Sequence, residues 1–287
     1  MVSSSSLFCA TCGAANTLQA TTCFACGQSL LASENTEQPA ARLILRQRYR
    51  TLCQLGQGGM GAVYKAEDIE LGDRIVAVKE MSLRALSQQE EEEAAQAFKR
   101  EALLLAGLMH PNLPRIYDHF AEAGRWYLVM DFIEGETLED YLGKAPGGKL
   151  PVKEVLEIGI QLCTVLDYLH TRQPAIIFRD LKPSNIMRTP AGQLYLIDFG
   201  IARHFKPGQA KDTTAFGSPG YAAPEQYGKT QTTPSADLYS LGALLHEALT
   251  GIDPSITPFF FAPLDTGPAA LQTLLTRMLD MDIRKRP

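Results

Sequence analysis

"IIFRDLKPSNIM", residues 176–187, places one carboxylate, two cations and an amide within the seven residues 179–185, between apolar segments of buried character. Asp180 suits a carboxylate that accepts a proton from an incoming hydroxyl, with Lys182 as its neighbouring cation. Asn185 offers an amide oxygen suited to a hard cation such as Mg²⁺. Further on, "LYLIDFG" (194–200) delivers Asp198 at the end of an apolar strand, again placed for a metal. Each residue alone also fits an ordinary turn, because Asp and Asn favour turns. Their order along one chain is what argues for a site.

Upstream, "LGQGGMGAVYKA" (55–66) sets Gly56, Gly58, Gly59 and Gly61 between two expected strands. Glycines there let backbone N–H groups approach phosphate oxygens with no Cβ in the way. A strand follows them, which argues against a dinucleotide fingerprint and a P-loop, both of which need a helix start. A glycine-rich hairpin with no ligand is the competing reading. Lys79 ends the apolar strand "IVAVKE" (75–80), and as an edge lysine it would simply be solvated. Glu101, however, shares a helical face with Phe98 and Leu105 and wants a cation, for which Lys79 is available. The alternative is a solvated Glu101 on a helix that begins with "EEEE" (90–93).

The 287 residues suffice for one large or two ordinary domains, and 45% apolar content supports real cores. A net charge of −5 shows no basic face, so no nucleic-acid partner is expected. No apolar run approaches the ~18 residues of a spanning helix, and "MVSSSSLF" lacks the features of a secretory signal. A soluble, cytoplasmic chain is expected, with an anchor beyond residue 287 left open. Short β-type segments occupy 49–55, 62–67, 75–80, 115–121 and 126–130, and one helix runs from about Ser87 to Leu108. Beyond Gly135 the pattern turns helical. In 152–170, Val155, Ile158, Leu162, Val165, Leu166 and Leu169 follow one helical face, and 235–250 is apolar on nearly every side, as in a helix buried mid-domain. The fold class expected is α+β: a small sheet with one main helix, then a larger helical lobe. Cys53 and Cys163, among apolar neighbours, read as packing residues.

With these motifs in place, the chain from about residue 48 resembles the eukaryotic-like Ser/Thr protein kinases of bacteria, to its end. G-x-G-x-x-G-x-V runs from Gly56 to Val63, and V-A-V-K ends in Lys79. R-D-x-K-x-x-N is Arg179, Asp180, Lys182 and Asn185, and Asp198-Phe199-Gly200 and Ala223-Pro224-Glu225 follow in order. The resemblance implies a bilobal fold, with the N-lobe about 48–133 and the C-lobe about 134–287. It implies ATP with Mg²⁺ or Mn²⁺, held by Asn185 and Asp198, and Lys79 on the α- and β-phosphates, paired with Glu101. Asp180 would deprotonate the acceptor hydroxyl. Leu55, Val63, Ala77 and Met187 would sandwich the adenine, whose edge would meet backbone groups of Asp131 and Ile133. Lys182 with "GSPGY" (217–221) points to serine or threonine on protein substrates, self-phosphorylation included. Arg286 is expected to pair with Glu225. A pseudokinase scaffold is the rival reading; Phe178, where most members carry histidine, keeps the packing and removes no phosphate, metal or proton contact.

Arg179 beside Asp180 would receive a phosphate from the activation segment, with Thr213 and Thr214 as acceptors; an unmodified polar loop is the alternative. Ser218 is expected to contact Asp180 and Lys182. The doubled C-x-x-C-G (Cys9, Cys12, Cys23, Cys26) resembles a zinc ribbon over residues 1–30, with structural Zn²⁺ supplying the folding energy; redox dithiols compete. Residues 31–47 read as a flexible linker. "PFFFAP" (258–263) is expected to pack rather than form a partner patch. The stop at "RKRP", without the family's final helix, suggests a fragment of a longer protein. Substrate, activating signal and oligomeric state are not legible.

Overall fold

The computed structural model describes residues 7–8, 15–16, 43–58, 61–82, 102, 105–198, 203–204, 217–227, 231–265 and 267–287. The chain divides into two compact units, Met1–Leu43 and Ile44–Pro287. In the first, strands β1 (Leu7–Phe8) and β2 (Ala15–Asn16) pair antiparallel. Cys9, Cys12, Cys23 and Cys26, which carry the zinc expectation, lie outside the described residues.

The second unit opens with β3 (Ile44–Leu45), β4 (Tyr49–Gly58), β5 (Gly61–Asp68), β6 (Arg74–Ser82), β7 (Ile116–Glu122) and β8 (Arg125–Asp131). They form one six-stranded sheet in the order β3-β4-β5-β6-β8-β7, and every pair is antiparallel. Strand β6 therefore lies inside the sheet, so Lys79 is not an edge residue: it sits between Val63 of β5 and Leu128 of β8. Strand alternation puts Lys79 on the face of Ala77. The other face carries Val76 and Val78, buried with Tyr49, Ala66, Tyr127 and Val129. At the β4–β5 turn, Gly61 has φ 136°, and a Cβ there would lie 1.9 Å from the carbonyl oxygen of Glu80. Only glycine allows the start of β5 to approach β6 this closely.

Four helices follow among the described residues: α1 (Leu138–Lys144), α2 (Val152–His170), α3 (Pro234–Thr250) and α4 (Ala269–Met278). The six α2 residues on the expected apolar face are all buried, and α3 is buried on nearly all sides. Both helices feed one core that also takes in Leu138, Phe178, Leu181, Leu196 and Leu275. Each buried leucine contributes roughly 1.5–3 kcal/mol, so α3 is the post around which this half is built. Of the helix expected over about Ser87 to Leu108, the described residues Ala102, Leu105 and Ala106 are helical.

Two expectations are corrected. Cys53 and Cys163 are exposed, not packed. Cys163 follows buried Leu162 in sequence, but the ~100° step of a helix turns it to the outer side. In "PFFFAP" Phe261 packs edge-on against Tyr239 and His246, while Phe259 makes one edge contact with the exposed Tyr227. Phe259 and Phe260 are 40% and 69% exposed.

Candidate active site

The stretch around Asp180 is held from beneath. Asp237, fully buried in the first turn of α3, accepts the backbone N–H of Phe178 through Oδ2 (2.9 Å) and that of Arg179 through Oδ1 (2.8 Å). His170 at the end of α2 places Nε2 2.7 Å from Asp237 Oδ2. The Phe178 ring is itself fully buried. Arg179 and Asp198 both have positive φ, 73° and 63°. Non-glycine residues hold that conformation at a cost of about 1–3 kcal/mol, and such strain gathers at functional sites.

Asp180 lies at the centre of a polar cluster. Its Oδ1 accepts Ser218 N–H (3.1 Å) and Ser218 Oγ–H (2.8 Å). Its Oδ2 accepts Asn185 Nδ2 (2.9 Å) and lies 3.3 Å from Lys182 Nζ. Lys182 Nζ in turn donates to Ser218 Oγ at 2.7 Å. Because Asn185 Nδ2 also donates to the Asp180 carbonyl (2.9 Å), the amide nitrogen is committed and the amide oxygen is the donor left for a cation. The Asn185 carbonyl accepts Ile197 N–H (2.9 Å), which ties this loop to the residue preceding Asp198. Asp198 Oδ1 then meets Lys79 Nζ at 2.5 Å, linking the sheet to the helical half. Lys79, Asp180, Asn185 and Asp198 thus form one connected constellation. Behind the Lys79–Asp198 pair lies an apolar recess lined by Leu105, Leu108, Leu113, Ile116, Leu128 and Met130.

Val63 sits opposite both Gly56 and Lys79, and buried Ala77 sits opposite Met130. Leu55 is 48% exposed, and a Cβ on Gly56 would meet open space. Met187 lies half-buried on β10 (Ile186–Arg188), which pairs with β9 (Glu136–Thr137) and β11 (Leu194–Leu196). Asp131 ends β8, and Ile133 follows in the connection to β9. Glu101, Gly59, Thr213 and Thr214 lie outside the described residues. Arg179 is buried beside Asp180, and its carbonyl accepts Gln226 Nε2 at 2.8 Å.

Beyond Lys182 and Ser218 opens a cleft also lined by Glu139, Tyr221, Glu247 and Asp253. Sequence reasoning missed its Tyr221–Glu247 pair; the signal was a lone acid near the end of an apolar helix. Tyr221 Oη donates to Glu247 Oε2 at 2.6 Å. Burial pushes the Glu247 carboxyl up to about 7, outweighing that hydrogen bond, with the charges of Asp253 and Glu139 adding to the rise. The ordinary value is 4.5, so between these two values the folded state holds a proton that the unfolded state has lost. Stability is therefore expected to fall as pH rises through this window and to level off above about 7. Allowing for solvent screening, the loss should be about 1–2 kcal/mol. Thermal unfolding near pH 5 and near pH 8 should show the loss in the wild type and flatten it in Glu247→Gln; equal pH dependence in both would refute the assignment.

Comparison with known proteins supplies the family. A model described as "Protein kinase domain" matches residues 49–287. "Probable serine/threonine-protein kinase PknB" of Lactococcus lactis is 38% identical over 210 residues, covering 72% of this chain and 32% of that protein. Serine/threonine-protein kinase pkn2 of Myxococcus xanthus is 37% identical over 270 residues, 85% of this chain and 31% of its own length. PrkC of Bacillus subtilis, a serine/threonine-protein kinase, is 38% identical over 205 residues, with shares of 71% and 30%. The chain thus spans about a third of the length of these curated relatives. On the match over residues 49–287 and on these relatives, the chain belongs to the protein kinase family.

Proposed function

We propose that the chain transfers the γ-phosphoryl group of ATP to serine or threonine hydroxyls of proteins. The observation that carries this reading is the connected cluster of Asp180, Lys182, Asn185 and Ser218, joined through Ile197 to Asp198 and Lys79. Asp180 accepts the proton of the attacking hydroxyl, and Lys182 balances charge beside it. Lys79 neutralises phosphate oxygens from a central strand that allows little movement. Asp198 and Asn185 fit magnesium: they are hard oxygen donors, and Mg²⁺ takes one or two carboxylates and keeps much of its water. When bound, the ion offsets charge on the phosphate oxygens. Val63 and Ala77 cover the base, with Leu55 and Met187, and backbone groups of Asp131 and Ile133 meet its edge.

The acceptor arrives from the side of Lys182 and Ser218, where the acid-lined cleft leaves room for an extended peptide. The relatives' names support serine and threonine as acceptors. Phe178 does not weaken the reading as an enzyme: its ring fills core, and Asp237 holds its backbone. Regulation through Arg179 by phosphate on Thr213 or Thr214, structural Zn²⁺ on the four N-terminal cysteines, and a cytoplasmic location rest on sequence alone. Among the described residues no helix is long and apolar enough to cross a membrane.

Intact mass after incubation with Mg²⁺-ATP, together with transfer of labelled phosphate to a generic protein, tests the proposal. Wild type should gain phosphate on serine or threonine, and Asp198→Asn should lower the rate by about 10²–10³-fold. Equal rates in the two proteins, or none in the wild type, would reject the reading.

A further inference from the structure

Asp131 does two things at once. It is the last residue of β8, and its backbone begins the connection proposed to meet the adenine edge. Its side chain points away from that task and is gripped by three groups. Oδ2 accepts the backbone N–H of Arg115 at 2.9 Å, and the Asp131 N–H donates back to the Arg115 carbonyl at 3.0 Å. Oδ1 accepts Arg74 Nη2 at 3.2 Å and the hydroxyl of Tyr117. The Arg74 guanidinium also contacts the Tyr117 hydroxyl and lies 4.0 Å above its ring. The Arg74–Asp131 ion pair is 44% and 26% exposed, so alone it would contribute little. The hydroxyl and the N–H, fixed by the sheet, supply the geometry.

Tyr117 reaches Asp131 through an irregularity in the sheet. The β7–β8 register runs from Ile116 opposite Met130 to Asp118 opposite Val129, so Tyr117 is an extra residue with no partner across the ladder. Such bulges re-aim a side chain beside a functional site. A regular strand would have kept the ladder bonds and aimed this ring by simple alternation. The far end of the connection is pinned separately: Gly135 lies so close to the Arg188 carbonyl that a Cβ would stand 2.1 Å from its oxygen. Between the two anchors, the Asp131 backbone is held opposite Val76 of β6, and its carboxylate ties the same residue to Arg115, Tyr117 and Arg74, so the connection starts from a fixed end.

The geometry points to Tyr117, with Arg74, as a positioning residue for the nucleotide: by holding the Asp131 carboxylate, it fixes the peptide groups that meet the adenine. This rests on the nucleotide reading above, and calorimetric titration of the full chain with Mg²⁺-ADP keeps the two separable. Tyr117→Phe removes one hydroxyl and leaves the ring packing. It should raise the Kd for Mg²⁺-ADP and the KM for ATP by a common factor of about five, with kcat within about twofold of wild type. Asp131→Asn should raise Kd similarly, and the double variant should be little worse than either single one, because both act through one contact. An unchanged Kd in Tyr117→Phe overturns the proposal, whether or not the melting temperature falls, since a merely structural hydroxyl would lower stability alone. A fall in kcat with KM unchanged overturns it too. Wild type that binds no ADP sinks the nucleotide reading and this inference with it. If Asp131→Asn does not fold, the Tyr117→Phe titration decides.

Discussion

Asp180→Asn is expected to lower kcat for phosphoryl transfer by about 10²–10⁴-fold, the range for loss of a general base, while KM for ATP changes less than about threefold. The amide keeps the size of the carboxylate but cannot take the hydroxyl proton. Locally the exchange is nearly neutral. Oδ1 now accepts two hydrogen bonds from Ser218, and Oδ2 accepts one from Asn185 and faces Lys182. An amide can keep its oxygen toward Asn185 and turn its NH₂ toward the Ser218 hydroxyl, at the expense of the bond from Ser218 N–H. One such bond is a stability loss of about 1 kcal/mol, too little to unfold a domain built around α3. A variant that melts close to wild type and binds ADP, yet transfers phosphate at least about a hundredfold more slowly, is the expected result. A kcat within tenfold of wild type would remove Asp180 from the role of proton acceptor.

The part of the fold that was legible in sequence is the part written in local periodicity. The five longer strands of the sheet and helices α2 and α3 follow from alternation and from the 3.6-residue repeat, which neighbouring residues alone determine. Helices α1 and α4 were harder. Each has only two or three buried positions, although Thr137 capping the N–H of Asp140 was a readable start signal. What stayed hidden depends on distant partners. Asp237 reaches Phe178 across 59 positions, and Tyr221 reaches Glu247 across 26. No window along the chain contains both ends of either bond. The same limit explains Cys163 and the aromatic run at 259–261. Apolar neighbours in sequence do not share a face, and three consecutive aromatic rings cannot all turn inward. The grouping around Asp180 was legible because Arg179, Asp180, Lys182 and Asn185, to which the proposed chemistry is assigned, lie within seven residues and need few long-range contacts to meet.

Arg286→Met is expected to destabilise the kinase unit by about 3–5 kcal/mol, read as a shift of the urea unfolding midpoint with an unchanged slope. The guanidinium is fully enclosed. Nη1 and Nη2 donate to Glu225 Oε1 and Oε2 at 2.7 and 2.9 Å, Nε donates to the Asp280 carbonyl at 2.9 Å, and Nη1 donates also to the Ser235 carbonyl at 3.1 Å. Its carbon sits 4.9 Å from the Tyr239 ring centroid. Methionine can fill much of that volume, so packing loss is the smaller part. The larger part is Glu225, a carboxylate only 7% exposed and left with no cation. Against a typical total of 5–15 kcal/mol this is a large fraction. Pairing the change with Glu225→Leu should recover most of the loss, because two apolar groups replace a desolvated ion pair at little net cost. A single-variant loss below about 1 kcal/mol, or a double variant as unstable as the sum of its parts, would show that the pair is not the clamp its geometry describes. The consequence reaches the active site by a short path. Glu225 belongs to the turn Pro224–Tyr227, whose Gln226 donates Nε2 to the Arg179 carbonyl at 2.8 Å. Releasing Arg286 therefore loosens one support of the backbone beside Asp180, which Asp237 also holds, and kcat should fall along with the unfolding midpoint.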